Sequence, residues 1–547
     1  MKKSILILFV CCSFFANAQF VTQWQHRLGG LSADQGNCII QTADSGFAVI
    51  GYTSSNDSVV YGNHGNNDYL LFKLDANGNQ QWHRWYGSSQ NDNPESIIQT
   101  PDGGFLISGM TTGNDGDVTG NHGSSDVWLV KTDYLGFIKW QKCYGGLGID
   151  AQTSYYSYNN GSYPAGVSII NTLDGGYMLG TSTNLNNGQV SGNHGGFDYW
   201  LVKLNDTGSI QWQKCYGANQ DEILASVIQN SDGSYAAAGY TSSNTGQVTS
   251  SHDTCYYSYY NQISCSYDYW IIKIDTIGNL IWEKSYGGSG NDIATSIAAT
   301  DNDGYIVAGF TTSNDGDVSL NHGFVNYWLI RLDSSGNAIW KNCYGGSQSE
   351  EATSVIANNN GGFMVIGNSY SHDIQITNHH DSAYYGYQDI WAVELDSNGA
   401  ITRQSSFGGS LTEGAGTVVK TYDGGYAIAG YTNSNDGDVS PATTEMDFWV
   451  LKINTNVGIN EINPSLKINL YPNPSNGEFI LTGTPPNSQF KVIDVMGNEI
   501  YRKQIINSAK STINISELSN GIYFWELVSV PIESGGIIGK GKIVIIK

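Results

Sequence analysis

Three short marks recur in fixed order seven times along this chain, and that self-similarity constrains the fold more than any other feature. The first is a DGG-type turn followed by an aromatic residue and a short apolar run, near Asp44, Asp102, Asp174, Asp232, Asn302, Asn360 and Asp423. The second is an apolar strand that opens with DYW or a variant, at Asp68, Asp126, Asp198, Asp268, Asn326, Asp389 and Asp447. The third is a WQKCYGG-type segment at Trp24, Trp82, Trp140, Trp212, Trp282, Trp340 and, without the Trp, Arg403. Its copies are spaced by 58, 58, 72, 70, 58 and 63 residues.

Each unit holds about four runs of strand character, such as ATSIAAT, YIVAGFT, YWLIRLD and AIWKNCY in the fifth. No stretch of a dozen residues has helical periodicity. Seven four-strand units predict an all-β chain whose main part is a seven-bladed β-propeller. A β-solenoid is the alternative, although its coils are usually shorter. The last unit has three strands and stops, and the missing fourth stands at the start of the chain, around Trp24 to Leu28. The N-terminal strand is therefore expected to complete the last blade and close the ring, leaving no free sheet edge.

Elements such as DGGFLISGMTT, SDVWLVKTD and KWQKCYGG resemble bacterial β-propeller repeats of the SBBP type, over roughly residues 22 to 454. The resemblance implies a propeller and little about activity, because propellers host many functions.

The two ends read differently. Lys2 and Lys3 precede an apolar run from Ile5 to Phe15 and a small-residue Ala16-Asn17-Ala18, the pattern of a secretory signal peptide (1–18) cleaved after Ala18. The propeller is expected over 19–456 and a linker over 457–465. Six of the ten prolines but only one of the fourteen tryptophans lie beyond Val457. Seven short alternating strands fill 466–547 and predict a small Ig-like β-sandwich. This segment resembles the type A C-terminal sorting domain of the type IX secretion system. The matching residues are Tyr471-Pro472-Asn473-Pro474-Ser475-Asn476-Gly477, Val492-Ile493-Asp494, Gly497, Ile513 to Ser516, Leu518, Gly521-Ile522-Tyr523-Phe524 and the terminal Lys542-Ile543-Val544. The resemblance implies the type IX machinery as a partner, and release or surface display as the destination.

Composition excludes other classes. A net charge of −24 with only 14% charged residues argues against a nucleic-acid surface, which needs clustered Lys and Arg. Aromatic content of 12% argues against disorder. No later apolar run reaches the length of a membrane span, so no transmembrane segment is expected after cleavage.

Candidate sites follow from where the repeat is kept and where it breaks. A carboxylate stands four residues after the second glycine position of each YGG-type mark: Asp34, Asp92, Asp150, Glu222, Asp292, Glu350 and Glu413. These seven read either as a cation-binding ring or as a turn device accepting backbone N–H bonds. The NDGD turns offer Asp115, Asp117, Asp315, Asp317, Asp436 and Asp438, for which Ca²⁺ is the candidate cofactor and turn formation the simpler account. His64, His122, His194 and His322 recur in an NHG turn and should lie apart around the ring. His372, Asp373, His379, His380 and Asp381 share one loop and form a second metal candidate. Cys255 and Cys265 flank one loop and are expected to pair, whereas Cys143, Cys215 and Cys343 occupy equivalent repeat positions, too far apart to bond. No HExxH, GxSxG, P-loop or paired CxxC is present.

Three units carry Tyr-rich insertions: Tyr155, Tyr156, Tyr158 and Tyr163 in the third, Tyr256, Tyr257, Tyr259 and Tyr260 in the fourth, and Tyr384, Tyr385 and Tyr387 in the sixth. Propeller connectivity puts all three into fourth-to-first or second-to-third loops, which emerge on one face. Tyr, Ser, Gly and Asn make adaptable contact surfaces. The expected function is a secreted or surface binding module for glycan or protein rather than an enzyme. A structural or adhesive protein, or a polysaccharide hydrolase or lyase, are the alternatives.

Overall fold

The computed structural model describes residues 19–57, 60–151, 154–157, 161–164, 166–252, 255–257, 263–380, 386–439, 445–454, 469–483, 488–494, 499–505, 510–529 and 537–547. All regular structure among them is β-strand, and no helix there is long and apolar enough to cross a membrane. Two compact units divide the chain, one ending at Thr455 and one beginning at Asn456.

The first unit is a seven-bladed propeller made of four-stranded antiparallel sheets. Blade 1 runs from Asp34 to Tyr86, blade 2 from Asp92 to Tyr144, blade 3 from Ser168 to Tyr216 and blade 4 from Glu222 to Tyr286. Blade 5 runs from Asp292 to Tyr344 and blade 6 from Glu350 to Phe407. Blade 7 joins Glu413–Lys420, Tyr426–Thr432 and Asp447–Asn454 to Val21–Leu28 from the start of the chain. The ring is thus closed by the N-terminal strand, as the repeat arithmetic predicts.

The seven large apolar clusters of this unit lie between blades, one at each junction including that of blade 7 with blade 1. This explains the strand sequences. Second and third strands are covered by neighbouring blades on both faces, so Asp198–Leu204 is buried throughout and reads as a continuous apolar run. Fourth strands are half-exposed at the rim.

The motif residues are the fasteners between blades. The Tyr of DYW lies against the Trp of the next blade's DYW, with centroids 4.7 Å apart for Tyr69–Trp128 and Tyr199–Trp270, and its hydroxyl donates to that Trp's carbonyl. The Tyr of the YGG mark donates to a hairpin glycine carbonyl one blade on, as from Tyr86 to Gly136 at 2.7 Å and from Tyr216 to Gly278 at 2.6 Å. Within a blade, the DGG aspartate caps the buried lysine of the third strand, 2.9 Å for Asp44–Lys73 and 3.0 Å for Asp102–Lys131.

The second unit has a three-stranded sheet (Asn469–Tyr471, Glu478–Thr482, Lys510–Asn514) and a four-stranded sheet. The latter contains Ser488–Ile493, Glu499–Ile505, Gly521–Ser529 and Ile537–Ile545. Phe479, Leu481 and Ile513 from one sheet and Phe490, Trp525 and Ile543 from the other share one core, which makes it a β-sandwich.

Candidate functional site

Six of the seven innermost strands carry a β-bulge or register shift, which turns one extra residue toward the ring axis. Asn37, Glu95, Ala225, Thr295, Thr353 and Gly416 fall at this position and, with Val167 just before the unbulged Ser168–Asn171, line a central cavity of about 370 Å³. The next ring along the wall is Cys38, Ser96, Ser168, Ser226, Ser296, Ser354 and Thr417. Its hydroxyls knit the channel together. Ser296 accepts from Val355 N at 3.2 Å, Ser168 from Val227 N at 3.3 Å and Thr417 from Ile39 N at 3.0 Å, each across a blade boundary. Glu95 is the one acid among the lining residues, and burial pushes its carboxyl well above the ordinary range. The bulges carry no mark that sequence patterning detects.

The seven repeat carboxylates stand at or next to the start of the innermost strands and are fully buried. Their bonding is that of the turn device. Asp34 accepts Gly30 N at 2.6 Å, Asp92 accepts Ser88 N at 2.6 Å and Asp150 accepts Gly146 N at 2.6 Å. Glu222, Asp292, Glu350 and Glu413 do the same with Ala218, Gly288, Gly346 and Gly409 at 2.6 to 2.8 Å. Strand-two hydroxyls add a further bond, as from Thr241 to Glu222 and Thr432 to Glu413 at 2.7 Å.

The NDGD acids tie two loops of one blade together. Asp115, Asp315 and Asp436 accept Ser89, Ser289 and Ser410 N–H at 2.7 Å. The backbone N–H groups of Asp117, Asp317 and Asp438 donate to the carbonyls of Gly87, Gly287 and Gly408. Among the described residues no group of three or more His, Cys, Asp or Glu is arranged to hold a metal.

The NHG histidines have a role that the repeat alone did not suggest. Three of the four cap the third-strand aspartate four residues on: His64 Nδ1 lies 2.7 Å from Asp68, His122 2.6 Å from Asp126 and His194 2.5 Å from Asp198, whereas His322 donates its backbone N–H to Asn326 at 2.8 Å. The constant spacing of His and Asp in these units was the available signal. In the sixth unit His380 takes this place on Asp389 at 2.8 Å. His379 contacts Ser369 O at 2.8 Å with its ring beside that of His372, and Asp373 accepts Ser347 N. Asp381 lies outside the described residues.

The third-unit insertion stands where it is expected, between the fourth strand of blade 2 and Ser168–Asn171, the first strand of blade 3. Asp150 keeps its repeat position, and the hairpin Ser154–Ser157 with Gly161–Pro164 precedes the shortened strand Ser168–Asn171. The chain returns to the channel wall at Gly166. Tyr155, Tyr156 and Tyr163 are on this hairpin. Tyr256 and Tyr257 are on a second hairpin, Cys255–Tyr257 with Ile263–Cys265, between the second and third strands of blade 4. Tyr387 is half-buried, and Tyr158, Tyr259, Tyr260, Tyr384 and Tyr385 lie outside the described residues. Cys265 is disulfide-bonded and Cys255 is its direct cross-strand partner. Cys38, Cys143, Cys215 and Cys343 are free, buried thiols.

In the second unit the YPNPSNG segment clamps the last strand. The Asn473 side chain donates to Lys542 O at 2.7 Å and accepts from Val544 N at 2.8 Å. Ser475 bonds Val544 and Ile546 through its backbone. Gly477 has φ +106°, and a Cβ there would meet Ser516 Cα at 2.5 Å, so glycine is required. Tyr471 is half-exposed, and the Tyr523 hydroxyl donates to Ser519 O.

Residues 469–540 match the family described as the secretion system C-terminal sorting domain. No curated protein matches the chain. Among solved structures, PorZ, a surface component of the type-IX secretion system of Porphyromonas gingivalis, aligns at 11% identity with TM-score 0.36. That alignment covers 91% of this chain but spans only 58% of PorZ. The WD40 domain of Neurospora crassa Pan2 aligns at 8% identity with TM-score 0.41, over 79% of this chain and 97% of that one. The PQQ domain of Coprinopsis cinerea pyranose dehydrogenase aligns at 12% and 0.33, over 80% and 97%. The SBBP resemblance has no matching family model, and the propeller rests on its own seven sheets. The sorting domain makes this a secreted or cell-surface protein exported by type IX secretion.

Proposed function

We propose that the propeller is a binding module for an extracellular glycan or protein, and that its ligand meets the face bearing the Tyr-rich insertions. One observation carries this reading. The Ser154–Pro164 hairpin is inserted between Asp150 and the innermost strand of blade 3, just before the channel-lining Gly166. It leaves that strand with 4 residues where the other blades have 8. Six blades fold without such a break, so propeller packing does not call for it. A ladder sacrificed at the channel mouth is the kind of local cost that functional sites carry. The Cys255–Cys265 hairpin emerges at the same end of its blade. We take it to be braced by a disulfide between those residues, so that it would lose little freedom on meeting a partner. Tyrosines on both hairpins supply large contact area at low side-chain entropy.

The test is binding of the full chain to a broad glycan array, with and without calcium. The expected result is retention of a defined glycan class that is lost in two variants. One joins Ala151 directly to Gly166, and the other combines Tyr256→Ala with Tyr257→Ala. Calcium-independent retention would leave the NDGD turns as structural devices. Unchanged retention in both variants, with circular dichroism preserved, removes this face as the site. No retention at all shifts the reading to a protein partner or an adhesive role.

A further inference from the structure

We propose that five junctions of the propeller each hold one proton shared between two buried carboxyl groups, and that the fold therefore loses stability as pH rises through neutrality. The first residue of the third strand is Asp in six blades, and it is shielded from solvent. In five of them (Asp68, Asp126, Asp198, Asp268 and Asp389) Oδ2 accepts the backbone N–H of a histidine. The other oxygen, Oδ1, is buried in all five and meets no donor. Each lies beside the repeat carboxylate of the next blade: Asp92, Asp150, Glu222, Asp292 and Glu413.

Blade 5 supplies the control, because Asn326 stands where the others have Asp. Its Nδ2, at the place of the orphaned Oδ1, lies 3.1 Å from Glu350 Oε2, 2.8 Å from Val325 O and 3.3 Å from Gly346 O. Every neighbour of that atom is an acceptor. An amide meets them with N–H. A carboxyl in the same place meets them only if it, or the acid opposite, carries a hydrogen. A cation fits less well, because a glycine is packed over the pair. A Cβ on Gly145 would lie 2.6 Å from Asp150 and 2.7 Å from Asp126, and one on Gly408 would lie 2.3 Å from Asp389 and 2.5 Å from Glu413.

Tyr69, Tyr199, Tyr269 and Tyr431 face Asp92, Glu222, Asp292 and Glu413, and burial raises their hydroxyls, which are therefore neutral. His64 and Asp117 face Asp68, His122 faces Asp126, His194 and Asp221 face Asp198, and His252 faces Asp268. His379, His380 and Asp438 face Asp389. The thiols of Cys143, Cys215 and Cys343 are close by and are pushed up by burial, hence neutral. Burial, more than these neighbours, raises Asp92 and Asp268 to about 6 and Glu222 and Asp292 to about 8. These values lie above those of the unfolded chain, so the folded state keeps protons that the unfolded chain has released. The stabilisation is complete below the ordinary carboxyl range, at about pH 4, and is lost progressively as pH rises from there to about 6 for Asp92 and Asp268 and to about 8 for Glu222 and Asp292.

The experiment is thermal unfolding of the full chain from pH 4 to pH 9, with infrared spectra at pH 7. The wild-type midpoint should fall across this range, and a protonated-carboxyl band should be present at pH 7. Asn326→Asp, which creates a sixth pair, should leave the midpoint at pH 4 nearly unchanged and lower it further at pH 8.5. Asp198→Asn, which imitates Asn326, should weaken the infrared band and raise the midpoint at pH 8.5. A flat wild-type profile without the band overturns the proposal. So does recovery of the alkaline midpoint by calcium chloride in the wild type and Asn326→Asp alike, which would make the pair a cation site.

Discussion

Blade 2 and blade 7 are the same object built in two ways. In blade 2 the fourth strand, Ile138–Tyr144, follows the third through a short turn. In blade 7 it comes from the other end of the chain, 420 residues away at the Arg27–Asp447 contact. The geometry is nonetheless reproduced. Trp128 Nε1 donates to Gln141 at 2.8 Å, and Trp449 Nε1 donates to Gln25 at 2.6 Å. The difference lies one step along. Opposite Trp128 stands Cys143, and opposite Trp449 stands Arg27. Arg27 donates to Asp447 at 2.5 Å, the place that His122 fills on Asp126, and it also reaches Ser434 O at 2.8 Å and Asn435 at 3.0 Å. A strand held by a turn closes a loop of a few residues. Closing one of several hundred costs roughly 4 kcal/mol more by the logarithmic law. A buried, multiply bonded arginine fixes the strand in place, and breaking such a pair costs about 3–5 kcal/mol, the penalty of leaving a charge buried and unpaired rather than the pair's net contribution. The seam thus has the same packing as a continuous blade plus a substitute for the missing turn.

The severest way to break the comparison is to remove the seam strand. Deleting residues 19–30 should abolish the cooperative thermal transition of the propeller, followed by circular dichroism, because it bares the edge of Asp447–Asn454 and uncovers the core shared with blade 1. A synthetic peptide of residues 19–30 should restore the transition. A wild-type transition without the strand would mean that blade 7 stands on three strands.

Next in size is the arginine itself. Arg27→Ala should cost about 3–5 kcal/mol in urea unfolding, because Asp447 stays buried without its partner. Cys143→Ala, at the matching place in blade 2, should cost about 1 kcal/mol, the loss of one small buried group. Arg27→Lys keeps the charge but not the fork, so it should fall between the two. Equal costs for Arg27→Ala and Cys143→Ala would remove the claim that the seam carries an added fastener.

Most of this architecture was legible because a repeated sequence measures itself. Counting DYW and YGG marks gave the blade number, and the unmatched Trp24 segment gave the closure. The C-terminal sandwich was legible from alternation and from the YPNPSNG turn. The carboxylates from Asp34 to Glu413 were visible as a ring, and the turn-device reading describes their bonding. The acid pairs were not visible, because a junction joins Asp68 to Asp92 or Asp389 to Glu413 across two marks that the eye treats separately. The bulge that turns Glu95 toward the axis left no trace either, since one extra residue in an eight-residue strand does not disturb its pattern. The third-unit insertion was legible as a loop between blades 2 and 3, but not the shortening of the strand behind it, Ser168–Asn171, to 4 residues.

The finest test asks whether the seam matches a continuous blade at the level of one hydrogen bond. Gln25→Ala and Gln141→Ala each leave the N–H of a fully buried Trp, Trp449 or Trp128, without its acceptor. Each should cost about 1–3 kcal/mol. If Arg27 fixes the strand as firmly as the turn fixes Ile138–Tyr144, the two costs should agree within about 0.5 kcal/mol, and combining Gln25→Ala with Gln141→Ala should be additive, because the sites share no partner. A smaller cost at Gln25 would show a looser strand, one that water enters to satisfy Trp449. A cost at Gln25 that shrinks only in the Arg27→Lys background would locate that looseness in the guanidinium contacts to Ser434 and Asn435 rather than in the strand ladder.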